Sequence, residues 1–150
     1  MIKSILILLL GSLHFSFQEV TVVSYSSGKV NTPGYENFSF WTKDGKRAYI
    51  QYSYGKDSKD VLAKYLGADT LSGQHAFKIQ VPGKPLLYVI PEGYKLKVTD
   101  KSGKYLRHFT WEREEPGASS NPADTSTPPC EICVKDETEA IQLIQKKFLQ

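Results

Sequence analysis

Two cysteines, Cys130 and Cys133, form the pattern best suited to chemistry, because a C-x-x-C spacing can serve thiol exchange, haem attachment or metal binding. A thioredoxin-type site would place the pair at the start of a helix that follows a strand, whereas a Pro-rich stretch precedes it here. Haem attachment would need a histidine at the next position, which is Val134. The sequence therefore predicts a local Cys130–Cys133 disulfide, formed in an oxidising compartment, that pins the start of the C-terminal segment. Thiol–disulfide exchange is the alternative.

Histidine, the usual general base and zinc ligand, occurs twice outside the N-terminal segment, as His75 and His108. A Cys2His2 zinc site would need both to approach the cysteines, but the pattern puts them in separate strands. We therefore predict no metal site. The sequence has no phosphate-binding glycine loop, no HExxH motif and no GxSxG elbow. We predict no cofactor and no catalytic residues.

Aromatic residues are concentrated between positions 35 and 54. If these positions form strands, one face of each strand supplies rings to the core and the other presents them outward. Outward Tyr and Trp side chains suit contacts with a sugar or with another protein. The candidate partner-binding residues are Trp41, Tyr49, Tyr52 and Tyr54.

Residues 1–18 combine a basic start, Met1-Ile2-Lys3, with an apolar run and a polar end at Ser16-Phe17-Gln18. This arrangement is typical of a secretory signal peptide. The apolar run is shorter than the roughly 20 residues that a membrane-spanning helix needs. We predict an exported protein, periplasmic or secreted, whose mature chain has no integral membrane span.

Residues 19–112 are predicted to form an antiparallel β domain. Apolar and polar residues alternate with a period of two, and turns rich in Gly, Pro and Asp separate the segments. Asp44-Gly45, between two segments rich in aromatic residues, is a strong hairpin signal. The expected fold class is mainly β, an antiparallel meander that forms a small sandwich or barrel.

Residues 58–66 fit two interpretations. Ser58 could cap a short helix that stops at Gly67, which would make the fold α+β. We favour a strand that turns at Gly67-Ala68-Asp69, because the surrounding segments are strands and this one is short.

Residues 113–129 are predicted to be a linker rich in Pro, Ser and Ala, and residues 130–150 to hold the cysteines and one amphipathic helix at about 136–149. Asp136, with Glu139 three residues later, resembles a capping box. A helix this short needs a partner surface, so we expect its apolar stripe to dock on the sheet or at one mouth of a barrel. The stripe consists of Ala140, Ile141, Ile144 and Phe148.

Charge is distributed unevenly along the chain. Of its 150 residues 40% are apolar, which is enough for one domain and too many for a disordered protein. Residues 19–111 carry 14 basic and 8 acidic side chains, whereas residues 112–150 carry 4 basic and 8 acidic ones. The basic face could meet the acidic tail, or an anionic glycan or membrane surface.

These features predict an exported, non-catalytic binding or accessory protein of the cell envelope or extracellular space. We expect a protein or glycan partner and no nucleic acid. The alternative is a carrier of a small apolar ligand in the lumen of a lipocalin-like barrel.

Overall fold

The computed structural model describes residues 19–113 and 133–150, which form eight strands and one helix. The predicted signal peptide, most of the predicted linker and Cys130 lie outside the described residues. The elements are β1 (Val20–Ser27), β2 (Glu36–Lys43), β3 (Lys46–Tyr54), β4 (Lys59–Leu71), β5 (Gln74–Gln80), β6 (Leu87–Glu92), β7 (Lys95–Asp100), β8 (Leu106–Glu112) and α1 (Glu137–Phe148).

The strands form a closed antiparallel barrel in which each strand pairs with the next along the chain. β8 returns to β1 and closes the barrel through the pairs Ser24–Glu112, Tyr25–Trp111 and Ser26–Thr110. The predicted antiparallel meander with a C-terminal helix is confirmed, and of the two predicted architectures the structure is the barrel. Closure matters physically because it leaves no unpaired strand edge to aggregate.

The predicted Asp44-Gly45 hairpin is confirmed between β2 and β3. Both turn residues have positive φ, 51° at Asp44 and 69° at Gly45, which is the backbone shape of the tight turns that match strand twist. The Asp44 carboxylate also accepts a hydrogen bond of 3.1 Å from the backbone N–H of Glu19. The turn therefore holds the start of β1 as well as joining two strands.

The predicted strand over residues 58–66 is confirmed as part of β4, so the helical alternative is wrong. The predicted turn at Gly67-Ala68-Asp69 is also wrong, because β4 continues to Leu71. The pairing with β5 shifts register between Tyr65 and Ala68, and Gly67 there has a φ of 101°. A bulge accommodates the one extra residue and lets the strand continue past Gly67, so the turn comes later, at Ser72-Gly73.

The barrel interior is filled by side chains. Alternate residues of every strand point inward, and several of them are large aromatic rings with almost no exposed surface. The ring centre of Phe38 lies 4.9 Å from that of Tyr52 and 5.1 Å from that of Phe109. An eight-stranded barrel is just wide enough to be filled in this way. The largest fully buried aromatic side chains are Tyr25, Phe38, Phe40, Tyr52, Phe77, Phe109 and Phe148.

Helix α1 begins as predicted. The Asp136 carboxylate accepts a hydrogen bond of 2.9 Å from the N–H of Glu139, and Glu139 accepts one of 2.7 Å from the N–H of Lys135. These bonds satisfy donors at the start of the helix that have no partner within it. The negative side chains Glu137 and Glu139 also lie favourably in the first turn.

The apolar stripe of α1 joins the barrel core. Ala140, Ile141, Ile144 and Phe148 are all buried among the inward side chains. The Phe148 ring centre lies 5.2 Å from that of Phe40 and 5.5 Å from that of Phe77. The predicted docking of this stripe is therefore confirmed. Burial of Ile141, Ile144 and Phe148 contributes about 1.5–3 kcal/mol each.

The C-terminus of α1 is fastened to strands β3 and β4. Arg47 Nη1 donates to the carbonyl of Lys147 at 2.8 Å, and the Tyr65 hydroxyl donates to the carbonyl of Phe148 at 2.7 Å. The Arg47 guanidinium also lies 4.3 Å from the centre of the Tyr65 ring. α1 thus covers the end of the barrel where β2–β3, β4–β5 and β6–β7 turn, which we call the helix end.

We expect Phe148→Ala to lower the free energy of unfolding by about 3–5 kcal/mol, because it removes a ring from a fully packed core. Chemical denaturation measures the loss. Gln142→Ala, on the exposed side of the same helix, is the control and should change little. Equal stability of the two variants would contradict the docking of α1.

Tyr25 is buried, and its hydroxyl has no hydrogen-bond partner among residues 19–113 and 133–150. Burial, and secondarily the negative charge of Glu137, raise the pKa of Tyr25 well above its usual value. The folded protein therefore keeps the Tyr25 proton at a pH where the unfolded chain loses it. The contribution of Tyr25 to the free energy of unfolding is therefore fully present below about pH 10, the pKa of tyrosine in the unfolded chain, and it decreases as the pH rises above that value.

We expect Tyr25→Phe to be as stable as the parent or more stable at neutral pH, because it removes an unpaired buried hydroxyl. Above about pH 10 the parent should lose roughly 1.4 kcal/mol per pH unit more than the variant, since one proton distinguishes them. Denaturation curves at neutral and alkaline pH test this, with Tyr94→Phe, at a half-exposed ring, as the control. Parallel pH profiles for parent and variant would refute the assignment.

Candidate binding site at the loop end of the barrel

Four loops gather at the end of the barrel opposite α1, which we call the loop end. They join β1 to β2 (residues 28–35), β3 to β4 (55–58), β5 to β6 (81–86) and β7 to β8 (101–105). Alternating strand direction in a meander places these four connections together and the other three at the helix end. The loop end therefore collects residues from four distant parts of the sequence.

The Glu36 carboxylate lies at the centre of the loop end, with 8% of the residue exposed. Its Oε1 is 3.2 Å from Arg107 Nη1 and 3.5 Å from Lys84 Nζ. Its Oε2 accepts a short hydrogen bond from the hydroxyl of Tyr105. A carboxylate removed from water to this degree is stable only with such compensation. We call Glu36, Lys84, Tyr105 and Arg107 the Glu36 cluster.

Aromatic rings surround the Lys84 ammonium group. Lys84 Nζ lies 4.9 Å from the ring centre of Tyr105 and 5.4 Å from that of Tyr52. Burial, the hydrogen bond to Glu36 and its charge raise the pKa of Tyr105 well above the usual value. Burial and the nearby Glu36 charge do the same to the pKa of Tyr52. Both phenols therefore stay protonated and act as neutral, polar groups beside the charges.

Arg107 also anchors the loop between β1 and β2. Its Nη2 donates to the carbonyl of Gly34 at 2.7 Å. A Cβ at Gly28 would lie 2.4 Å from the same carbonyl oxygen, and Gly28 has a φ of +83°, so the loop folds back this closely only with glycine there. The N–H of Gly55 donates to the carbonyl of Tyr35 at 2.9 Å, which ties this loop to the next one.

The other two loops are held by their own hydrogen bonds. Gln80 Nε2 donates to the carbonyl of Lys84 at 2.7 Å and fixes the loop between β5 and β6. In the loop between β7 and β8, the Asp100 carboxylate accepts a hydrogen bond of 3.0 Å from the hydroxyl of Ser102. Burial would raise the pKa of Asp100, but hydrogen bonds from Ser102 and from the backbone outweigh it and lower that pKa. The loops thus present their exposed side chains from fixed positions.

The exposed surface of these loops is basic. Together they carry five lysines and one acidic residue, Asp57; the three shorter turns at the helix end carry Asp44, with the exposed Lys43 and Lys46 in the strands beside it. Four of the five lysines are exposed, and Lys84 is half-buried in the Glu36 cluster. We call the four exposed lysines the basic rim: Lys29, Lys56, Lys101 and Lys104.

The four candidate residues from the sequence do not form one surface. Tyr52 points into the barrel and is 1% exposed, and Tyr54, two residues on, lies above it at the loop end with 39% exposed. Their ring planes lie 18° apart with centres separated by 5.4 Å. Trp41 and Tyr49 stack on the outer wall instead, at 5.1 Å. The four residues therefore form two pairs on opposite faces of the sheet, and a binding role for any of them stays a prediction.

Trp41 is a wall residue and not an exposed one, with 8% of its surface accessible. It packs against Val22, with Val20 and Cys133 alongside. Cys133 is not a free thiol. Its predicted partner Cys130 lies outside the described residues, so the Cys130–Cys133 disulfide stays a prediction.

Both histidines of the described residues, His75 and His108, lie on the outside of the barrel. His75 is exposed near the helix end, where it lines a pocket of about 390 Å³ between the strands and α1. His108 Nε2 lies 3.7 Å from a carboxylate oxygen of Glu92 on the wall. Over residues 19–113 and 133–150, no three side chains of His, Cys, Asp or Glu lie together as a metal site would require.

Sequence reasoning missed the Glu36 cluster. Glu36, Lys84 and Arg107 come from different loops and strands, and nothing in their local spacing connects them. One local signal was present: Arg107 interrupts the inward face that otherwise runs from Tyr105 through Phe109 to Trp111. A charged residue on an inward face needs a buried partner of opposite charge.

No family model matches the chain, and comparison with curated proteins and with solved structures also found no match. In the described part of the chain, no helix has both the length and the apolar character needed to cross a membrane.

We expect Arg107→Met to lower the free energy of unfolding by about 1–3 kcal/mol, because it leaves Glu36 short of a charged partner and frees the Gly34 carbonyl. Hydrogen exchange of the amides in residues 28–35 should also become faster. Lys95→Met, at an exposed wall position, is the control. Unchanged exchange in that loop would show that Arg107 does not anchor it.

Proposed function

We propose that this chain is an exported, non-catalytic binding protein of the cell envelope or extracellular space, and that it binds its partner with the loop end of the barrel. The observation that carries the proposal is the concentration of lysines on four loops at one end of a rigid barrel, with one acidic residue among them. Loops held by a rigid scaffold are where binding residues concentrate.

Export is proposed from the sequence of residues 1–18, which combines a basic start with an apolar run. A disulfide between Cys130 and Cys133 would suit the same oxidising environment. The partner is then a component of the envelope or of the extracellular space, and a protein or a glycan fits the pattern of Tyr and Lys side chains at the loop end.

The carrier alternative draws support from the closed eight-stranded barrel, since barrels of this size can hold one small ligand. The packing of the interior argues for a surface site instead. Aromatic rings from Phe38, Phe40 and Phe77 occupy the space where an apolar ligand would lie, and Phe148 of α1 contacts two of them. A ligand in the lumen would have to displace these side chains.

Binding of the fluorescently labelled protein to isolated cell envelopes of the producing organism tests the proposal. Lys56→Glu combined with Lys104→Glu should weaken binding by about tenfold or more, because it reverses two charges of the basic rim. Added salt should weaken binding of the parent protein, since exposed charges are screened.

The matched control is Lys46→Glu combined with Lys146→Glu, which changes the net charge by the same amount at the helix end. This variant should bind like the parent. Equal loss in both variants would mean that net charge alone drives adsorption, and would count against a binding site at the loop end.

A further inference from the structure

We infer that the partner of the loop end is an acidic polysaccharide, with uronic-acid carboxylates paired to the basic rim and a sugar ring packed on Tyr54. This inference rests on the proposed function and names the partner class for the same site. Three observations carry it: the spacing of rim charges over several loops, the stacked and exposed Tyr54 ring, and the scarcity of exposed apolar side chains on the rim.

The charge of the rim suits a ligand with many dispersed negative charges. Lys29, Lys56, Lys101 and Lys104 come from three loops and are all exposed, so their charges are distributed over several parts of the loop end. A single phosphate or carboxylate would be met by converging donors. A chain with one carboxylate per sugar can instead place successive charges beside successive lysines.

The charged groups at the centre of the loop end are already paired with one another. Glu36 already pairs with Arg107 and Lys84, at 3.2 Å and 3.5 Å, and accepts from the Tyr105 hydroxyl. These groups therefore hold the loops in place and leave the outer lysines to contact the ligand. A rim that is ordered before binding loses less conformational entropy when the ligand arrives.

Tyr54 supplies the contact that distinguishes a sugar from other anions. Its ring is 39% exposed at the loop end and is held in orientation by stacking on the buried Tyr52, with the ring planes 18° apart. The flat face of such a ring can pack against the C–H face of a pyranose, while the phenol hydroxyl reaches a sugar hydroxyl. Tyr94, with 52% exposed, has a comparable exposed ring but lies at the helix end.

A lipid surface and a folded protein fit less well. Among the large hydrophobic side chains that are exposed, Val30 lies within the four described loops and Tyr54 and Leu106 lie at strand ends beside them, and membrane insertion needs a larger apolar area. A stable protein interface needs a desolvated apolar core of aromatic side chains. At the loop end, the exposed Tyr54 ring lies among exposed lysines, and this combination suits a hydrated, polar ligand.

The experiment measures binding of the purified protein to a short oligogalacturonate in low salt by isothermal titration calorimetry. Tyr54→Ala should weaken binding by about tenfold, as expected when one anchoring aromatic contact is lost. Lys56→Gln combined with Lys104→Gln should weaken it by a similar factor. There are two matched controls: Tyr94→Ala for the ring, and Lys46→Gln combined with Lys146→Gln for the charges. Both should bind like the parent.

Two competing ligands decide what class the site recognises. Vesicles of phosphatidylcholine with phosphatidylglycerol represent an anionic membrane, and oligo(dT) represents an anionic polymer without pyranose rings. Binding of either one with the affinity found for oligogalacturonate, or insensitivity of oligogalacturonate binding to Tyr54→Ala, would overturn the inference. Thermal denaturation of each variant checks that the fold is retained. Tyr54→Phe keeps the ring, so it should retain most of the affinity that Tyr54→Ala loses.

The inference and the proposed function can fail separately. Envelope binding that depends on the rim, with no binding of oligogalacturonate, would leave the loop end as the binding surface and reject the acidic polysaccharide. Envelope binding that is unchanged by Lys56→Glu combined with Lys104→Glu would reject the loop end as the binding surface.

Discussion

Pairing of β1 with β8 is the constraint on which the rest of the structure depends. Three residue pairs close the barrel, against eight between β1 and β2. Once the barrel is closed, no strand edge remains and every inward side chain faces a confined space. That space must be filled, because a void loses packing contacts and water cannot satisfy an apolar lining. The large rings on the inward faces and the apolar stripe of α1 are both consequences of closure.

The two ends of the barrel close it by different interactions. At the helix end, Ile141, Ile144 and Phe148 extend the apolar core out of the barrel. At the loop end, a nearly buried carboxylate, Glu36, is balanced by two cations and a phenol. The first arrangement stabilises the fold by removing apolar surface from water, and this effect does not depend on the exact identity of the apolar side chains in contact. The second depends on polar geometry, because a nearly buried carboxylate requires charged and hydrogen-bonding partners at fixed positions.

The parts of the fold that depend on local sequence could be predicted. Asp44-Gly45 determines its hairpin through backbone conformation alone, and Asp136 with Glu139 determines the start of α1 through hydrogen bonds within four residues. Alternation also identified the inward faces, because the inward positions around the centre of the barrel are apolar, whereas Glu36 and Arg107 interrupt the pattern towards the loop end. The sequence did not locate the end of β4, since a register shift near Gly67 substitutes for the expected turn and is decided by pairing with β5.

The candidate site could be predicted only in fragments. Tyr52 and Tyr54 were singled out as aromatic residues, but their partners Lys84, Tyr105 and Arg107 become neighbours only after the barrel has closed. A cluster assembled from two strands and two loops that are far apart in the chain has no signature in any short window of the sequence. The choice between a sandwich and a barrel decides whether such residues meet at all, and alternation is the same in both.

Part of the uneven charge along the sequence lies on the loops at one end of the molecule. Some of the basic residues before position 112 are paired on the wall, where Lys78 lies 3.3 Å from Asp69 and Lys97 lies 3.3 Å from Glu92. The rim lysines are exposed on the loops, whereas α1 at the opposite end carries Glu137 and Glu139 in its first turn and Lys146 and Lys147 in its last turn. The loops that carry the rim lysines include those held by the hydrogen bonds of Arg107 and Tyr35. A rigid and basic surface therefore faces solvent at the loop end. Such a surface attracts anions over a range of about a Debye length, roughly 8 Å at physiological salt.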